Sequence, residues 1–191
     1  EESLAHWRIL IVDEEPEIHN VTKMALDDFS FLERSLEYLH AYSGKEAREV
    51  LAREDDIAIV LLDVVMETDH EGLDVVKYIR EELNNHLLRI ILRTGQPGQA
   101  PALKVIKEYD INDYKEKSEL TAEKLICAVY TGLSAYRDLR ALAANKRGLE
   151  KVIEASASIF ETRSVNKFAQ GVLEQLAALL NWLLRRDGIA G

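Results

Sequence analysis

An α/β fold with a five-stranded, doubly wound parallel sheet and a long C-terminal helical extension is the class this sequence predicts, and three observations carry it. From Arg8 to Tyr114, short apolar runs alternate with helix-length amphipathic segments. Three of those runs, "RILIV", "IAIVLL" and "LLRIIL", are apolar on both faces, as central strands covered by helices on both sides must be. Beyond Lys117 the texture changes: no proline occurs from Ser118 to Gly191, and helix formers dominate.

The first strand is placed at Arg8–Val12. A helix follows at about Pro16–Phe29, where a proline in the first turn has no N–H to leave unsatisfied. The second strand, Leu36–His40, is weaker and reads as an edge. Ser43-x-x-Glu46 has the spacing of a capping box for a helix over Lys45–Arg53. The third strand is Ile57–Leu62, with a helix at Leu73–Leu83, and the fourth is Leu88–Leu92, with a helix at Gln99–Tyr109. "TGQPGQAP", Thr94 to Pro101, reads as a shaped loop into that helix; it has no lysine for phosphates, and no G-x-x-x-x-G-K-[ST] run occurs in the chain. The fifth strand, Asn112–Tyr114, is again edge-like. A ligand site in such a sheet lies beyond the carboxyl ends of the central strands.

The division expected is a domain over 1–140 and a helical extension over 141–191. A helix from near Leu120 past Glu150 carries a coiled-coil-like stripe of Leu125, Val129, Gly132, Tyr136, Leu139, Ala143 and Lys146. After a break near Glu161–Ser164, Val165, Phe168, Val172, Leu176, Leu179 and Leu183 mark a second amphipathic helix. Neither face can be buried by its own helix alone, so a partner is expected, either the other helix or another chain.

A length of 191 residues allows one complete domain and a remainder. The net charge of −10 argues against a nucleic-acid partner, which calls for a basic face. The single cysteine, Cys127, excludes an intramolecular disulfide and reads as a core thiol. No apolar run approaches the ~20 residues of a membrane span, so no membrane role and a cytoplasmic location are expected. His6, His19, His40, His70 and His86 lack metal-ligand spacing and are assigned surface or helix-end roles; Trp7 and Trp182 are assigned to packing. The chain opens Glu1-Glu2-Ser3 and stops at Ala190-Gly191, as expected of an excised fragment.

The run "IVLLDVVMETDHEGL", Ile59 to Leu73, ends its apolar part on Asp63, and Gly72 follows nine residues later. Asp13-Glu14 stands after the first strand, Asp63 after the third, Thr94 after the fourth and Lys117 after the fifth. The proposed sheet brings these together. Three clustered carboxylates repel unless a cation sits among them, and a hard oxygen-seeking ion such as Mg2+ resolves the conflict.

With "ILIVDEEPEIH", "VLLDVVM", "IILRTG" and "DYKEK" in order, the block from Arg8 to about Arg140 resembles the receiver domain of bacterial response regulators. The resemblance implies a flavodoxin-like strand order, 2-1-3-4-5. It implies that Asp63 accepts a phosphoryl group from a phosphohistidine on a sensor histidine kinase or phosphotransfer protein. By the same resemblance Asp13, Glu14, Asp63 and the backbone carbonyl of Val65 hold Mg2+, and Lys117 pairs with a phosphoryl oxygen. Thr94 then supplies the hydroxyl that moves to the phosphoryl group, and Tyr114 the aromatic ring that turns inward with it. Lys115 competes for the lysine role; Lys117 is preferred because it stands three residues after Tyr114. The sequence departs from the family at Glu14, where a second aspartate is usual, at Glu67 and Ser118, where proline is common, and in a loop to Gly72 about one residue longer.

A haloacid-dehalogenase-like phosphohydrolase needs an acid two residues after its nucleophile, and Val65 occupies that position. A pseudo-receiver serving only docking or dimerisation is the remaining alternative. "ANKRGLEKVIEASASIFETRSVNKFAQGVLEQLAALL" resembles the opening of a GAF-like domain of the kind that precedes cyclic-di-GMP modules of HD-GYP or GGDEF type, although neither motif occurs here. The closing "NWLLRRDGIAG" is set apart from that resemblance. The expectation is a homodimeric, non-enzymatic front end whose C-terminal helix passes a signal to an output module outside this chain.

Overall fold

The computed structural model describes residues 6–95, 107, 109, 111–117 and 121–186, and of 157–164, 166 and 184–186 the backbone only. The expected helix at Gln99–Tyr109, most of the Thr94–Pro101 loop and Ser118 lie outside the described residues.

Five strands, β1 (Trp7–Val12), β2 (Leu36–Ala41), β3 (Ile57–Asp63), β4 (Arg89–Thr94) and β5 (Asp113–Glu116), form one parallel sheet in the order β2-β1-β3-β4-β5. The predicted class and strand order are those observed. Helices α1 (Pro16–Ala25), α2 (Gly44–Arg53) and α3 (Glu71–Lys77) connect the strands, and α3 runs into a π turn over Tyr78–Glu82. A C-terminal helix spans Ala122–Arg186.

Because alternate strand residues face opposite sides, the register writes the two cores directly. On one side Ile9, Ile59 and then Arg89 stand abreast, and Ile11, Leu61 and Ile91 form the next row. This face packs with Leu26 after α1 and with Leu125, Val129, Leu133 and Tyr136 of the C-terminal helix. Leu10, Val12, Val60, Leu62, Ile90 and Leu92 face the other way, against Ala47 and Leu51 of α2 and Val75 and Val76 of α3. Every residue of β3 is buried, and each large apolar side chain so removed from water contributes about 1.5–3 kcal/mol. The first half of the expected coiled-coil stripe is therefore sheet-covering core: Leu125, Val129 and Tyr136 are all buried.

Several boundaries differ for local reasons. Helix α1 stops at Ala25 instead of Phe29; the next N–H groups bond three residues back, Leu26 to Lys23 at 3.1 Å and Phe29 to Leu26 at 3.0 Å. Asp27 and Asp28 place negative charge at a helix C-terminus, where the macrodipole disfavours it. The capping box forms with a shift. Ser43 Oγ accepts from the Glu46 N–H at 3.1 Å, while Glu46 Oε2 accepts from the Tyr42 N–H at 2.8 Å, one residue before the cap.

The break expected near Glu161–Ser164 is absent. Helical backbone continues through it, since neither proline nor glycine stands between Gly148 and Gly171. The chain divides into two compact units, 1–141 and 142–191. In the second, Val165, Phe168, Leu176 and Leu179 are more than half exposed. Trp182, assigned to packing, is 58% exposed. Trp7 does pack, edge-on to Phe31 and Tyr136, with its indole N–H donating to the Phe31 carbonyl at 2.9 Å. Cys127 is exposed, which corrects the core-thiol assignment: its neighbours Ala128 and Val129 face the sheet instead. Among the described residues no helix is long and apolar enough to cross a membrane.

Candidate functional site

The rows of apolar side chains on the α1 side of the sheet end in charge. One step past Ile11 and Leu61 come Asp13 and Asp63, and Arg93 lies beside Asp63 in the parallel register. Asp63 is the last residue of β3, inside the ladder and 4% exposed, and Asp13 is fully buried. Strand β3 therefore fixes Asp63, and Asp13, one residue past β1, is tied by its N–H donating to the Ala41 carbonyl at 3.2 Å. The chain leaving Asp63 is also held, because the Val64 N–H donates to the Arg93 carbonyl at 3.0 Å and the Gly72 N–H to the Val64 carbonyl at 3.1 Å.

Lys117, just past β5, closes the site. Its Nζ lies 2.8 Å from Asp63 Oδ2, 3.1 Å from Asp13 Oδ2 and 3.3 Å from Glu15 Oε1. Lys115 pairs instead with Asp113 at 3.3 Å, so the preferred lysine is the one that reaches the carboxylates. Burial pushes the Asp63 carboxyl above its ordinary range; Lys117 pulls it back and Asp13 pushes it further up. Burial lowers the Lys117 ammonium, yet Asp63 and Asp13 more than offset this and leave it raised. The Asp63 Oδ1 accepts from the Val65 N–H at 3.4 Å, and Asp13 Oδ1 from the Glu15 N–H at 3.1 Å.

The structure brings together Asp13, Asp63 and Lys117, with Thr94 buried at the end of β4 and Tyr114 half-buried against the α2/α3-side core. Glu14 does not join them. It is exposed on the β1–α1 turn, and among the described residues no group of three or more carboxylate, histidine or cysteine ligands forms. The donor set still fits a hard cation. Asp13 Oδ2 is buried and, apart from its 3.1 Å ion pair with Lys117, accepts no hydrogen bond; it lies beside a second carboxylate, with a third acid next in sequence.

Sequence reasoning missed four features. Arg93 is a charged residue inside an apolar strand, a signal visible in "IILRTG". Glu15 was passed over beside the more conspicuous Asp13-Glu14. Glu67, seen only as a missing proline, accepts the Gly44 N–H at 3.1 Å and so ties the loop after Asp63 to the start of α2. His19 is buried, not a surface residue. Its Nε2 lies 2.9 Å from the Asp13 carbonyl, which can only accept, so Nε2 carries the proton and Nδ1 accepts from His40 Nδ1 at 2.8 Å.

Because the folded state holds a proton on Asp63 more tightly than the unfolded chain does, stability from this group is present below the ordinary carboxylate pKa. It is lost as pH rises through the raised folded value. At neutral pH the ionised carboxylate is a net burden, so Asp63→Asn is expected to stabilise the metal-free protein by about 0.5–2 kcal/mol. Thermal unfolding in EDTA checks this: the gain is present at pH 7 and shrinks in acid, and a lower Tm at pH 7 would refute it.

Comparison with known proteins agrees with this geometry. The family model described as response regulator receiver domain matches residues 9–130, and a domain of unknown function, DUF3369, matches 129–190. The second match takes in most of the closing stretch "NWLLRRDGIAG". A Vibrio cholerae protein named 3'3'-cGAMP-specific phosphodiesterase 2 is 53% identical over 91% of this chain, which spans 33% of that relative's length. A chemotaxis protein CheY homolog of Campylobacter jejuni is 27% identical over 65% of this chain and 94% of its own. In fold, the chain is similar to a response regulator receiver domain protein from Clostridium thermocellum (TM-score 0.59, 24% identity, 70% of this chain and 98% of that one). It is also similar to the signal receiver domain of an HD domain-containing protein from Pseudomonas fluorescens (TM-score 0.60, 21% identity, 74% and 96%). With its sheet order, its paired strand-end carboxylates and the family match over most of its length, the chain belongs to the response regulator receiver domain family.

Proposed function

We propose that this chain is the phosphorylation-controlled receiver of a longer regulator, with Asp63 as phosphoacceptor. The observation that carries the reading is the convergence of Asp63 and Asp13 on one lysine, at 2.8 and 3.1 Å from Nζ. A carboxylate oxygen of Asp63 attacks the phosphorus of a phosphohistidine on a sensor kinase or phosphotransfer protein. An O–P bond forms, the P–N bond breaks, and the imidazole leaves with the electron pair. Asp63 is held by its strand, and its approach is set by the Val64 and Val65 backbone, so little reorganisation is needed. Lys117, already against Asp63 Oδ2, pairs with a phosphoryl oxygen once the group arrives. Asp13, Glu14, Asp63 and the Val65 carbonyl are the oxygens that would hold Mg2+, which when bound neutralises charge developing on the transferred group. Glu14, one methylene longer than the usual aspartate, would have to reach in from its exposed position.

Thr94 and Tyr114 are assigned the switch. Thr94 ends the strand beside Asp63, and Tyr114 pairs in register with Leu92, two residues earlier on the same strand. Movement of the Thr94 hydroxyl toward the phosphoryl group vacates space into which the Tyr114 ring turns, converting acyl-phosphate formation into a changed surface. The signal then passes along the C-terminal helix into the domain of unknown function, read here as GAF-like, and on to an output module. The likeness to a cyclic-dinucleotide phosphodiesterase supports an output in cyclic-dinucleotide turnover, while this chain acts as the non-enzymatic front end over 1–140 with its extension over 141–191. The exposed apolar face from Val165 to Leu183 supports pairing with a second copy.

Intact-protein mass after incubation with acetyl phosphate and Mg2+ tests the reading. Wild type is expected to gain one phosphoryl group, and Asp63→Asn or wild type in EDTA none. Absence of an adduct on wild type would sink this function and leave a docking module.

A further inference from the structure

We propose that Arg93 is a positioning residue that acts through Asp13: a resident cation that sets how readily the acidic pocket takes up Mg2+ and ties that pocket to α1 through Thr22. The inference rests on the pocket being the Mg2+-dependent phosphoacceptor site argued above, and it assigns a role to a residue which that reading does not use.

Arg93 occupies the place in its row where an apolar side chain would continue the core, yet it is a guanidinium only 2% exposed. Its Nη1 donates to Thr22 Oγ1 on α1 at 2.9 Å. Its Nε and Nη2 have no hydrogen-bond acceptor. Burying a charge with two of its three nitrogens unsatisfied is unfavourable unless the charge itself is matched nearby. Burial disfavours the cation most, and Asp13 and then Asp63 offset part of that cost. A guanidinium cannot shed its proton to escape, so the charge is permanent.

Two buried carboxylates, Asp13 and Asp63, thus face two cations, Lys117 and Arg93. The pocket is balanced before a metal enters. The distances divide the cations' tasks. Lys117 touches both carboxylates, whereas Arg93 Nη2 stands 3.6 Å from Asp13 Oδ2, too far for a hydrogen bond. Thr22 anchors the far side of the guanidinium and holds it at that separation. Asp13 Oδ2 is thus touched by Lys117 at 3.1 Å but not hydrogen-bonded by Arg93, which leaves a lone pair open toward an incoming ion. Arg93 opposes Mg2+ electrostatically without occluding the oxygen, keeping the resting pocket from being filled more tightly than the phosphorylated one, where the added negative charge of the phosphoryl group offsets the arginine.

The test uses the whole chain and backbone amide NMR shifts of residues 63–72 as Mg2+ is titrated in. Neutral replacements Arg93→Gln and Arg93→Met are expected to tighten Mg2+ binding roughly tenfold. Arg93→Lys keeps the charge and stays near wild type. Thr22→Val frees the guanidinium to close on Asp13 Oδ2 and weakens binding. A purely structural role would loosen binding in all of the Arg93 variants, so the direction of change separates the two. Mg2+ binding by wild type with unchanged or weaker binding in the neutral variants overturns the role of Arg93 alone. If both neutral variants fail to fold, an unchanged affinity in Thr22→Val overturns it. Wild type that binds no Mg2+ and takes no phosphoryl group overturns the phosphoacceptor reading, and this proposal with it.

Discussion

Lys117→Met is expected to unfold about 3 kcal/mol more easily than wild type at pH 7 in EDTA, near the lower end of what removal of one partner from a buried ion pair costs. The Lys117 side chain is 19% exposed, but the carboxylates it serves are 0% and 5% exposed, so no water replaces it on their side. Arg93, at 3.6 Å from Asp13, is too distant to take over. The sign of the pH dependence follows from the two shifts. Lys117 gains carboxylate partners on folding and its pKa is raised, so its contribution persists through neutral pH and is lost only in strong alkali, above its ordinary value. In acid, protonated Asp63 no longer needs a counter-ion. The penalty therefore grows from small values in acid to its full size at neutral pH. Urea unfolding at pH 4 and pH 7 measures it, and an equal loss at both would show that packing of the lysine stem, not its charge, stabilises the fold. Asp63→Asn added to Lys117→Met should recover much of the loss, since sites in direct contact are not additive.

The parts of this molecule legible in sequence are those governed by period and by residue type at strand ends. "RILIV" and "IAIVLL" could only be central strands, and the polar residues after them had to emerge at one edge. The choice of Lys117 over Lys115 came from the resemblance, which puts the lysine three residues after Tyr114; strand alternation could not make it, since positions 115 and 117 share a face. What remained illegible depended on contacts between distant segments. Nothing local to Arg93 says that it would find Thr22 on α1, seventy-one positions earlier. The burial of His19 depends on the Asp13 carbonyl and on His40 across the sheet edge. The stripe on the C-terminal helix was read correctly as apolar but assigned the wrong partner; period alone cannot say whether Leu125 and Val129 face another helix or the sheet. The missed continuity near Glu161–Ser164 has the opposite cause. None of the residues from Glu161 to Ser164 is a strong helix breaker, so the helix runs through them.

Gly72 answers a question that the sequence posed and could not settle, why a glycine follows Asp63 at that distance. A Cβ on it would lie 2.1 Å from the Asp63 carbonyl oxygen and 2.7 Å from Val64 Cα, both backbone atoms that cannot swing away. The first turn of α3 thus rests directly on the chain that carries Asp63. Gly72→Ala is expected to destabilise by about 1–3 kcal/mol through forced backbone displacement, and Gly72→Val by more. Both should slow phosphoryl uptake, because the displaced segment is the one that orients Asp63 and Val65. Two other glycines supply the comparison. At Gly44 an added Cβ meets the end of the Glu71 side chain, which can rotate at the loss of its 2.8 Å ion pair with Arg48, so Gly44→Ala should be milder. At Gly148 nothing lies within 4 Å, and the residue is helical; there Gly→Ala should stabilise by about 0.5–1 kcal/mol. Urea unfolding and acetyl-phosphate uptake on the three variants should therefore separate in that order. Gly72→Ala matching Gly44→Ala in both would mean that α3 yields to the added methyl, and that the close approach to Asp63 does not control the site.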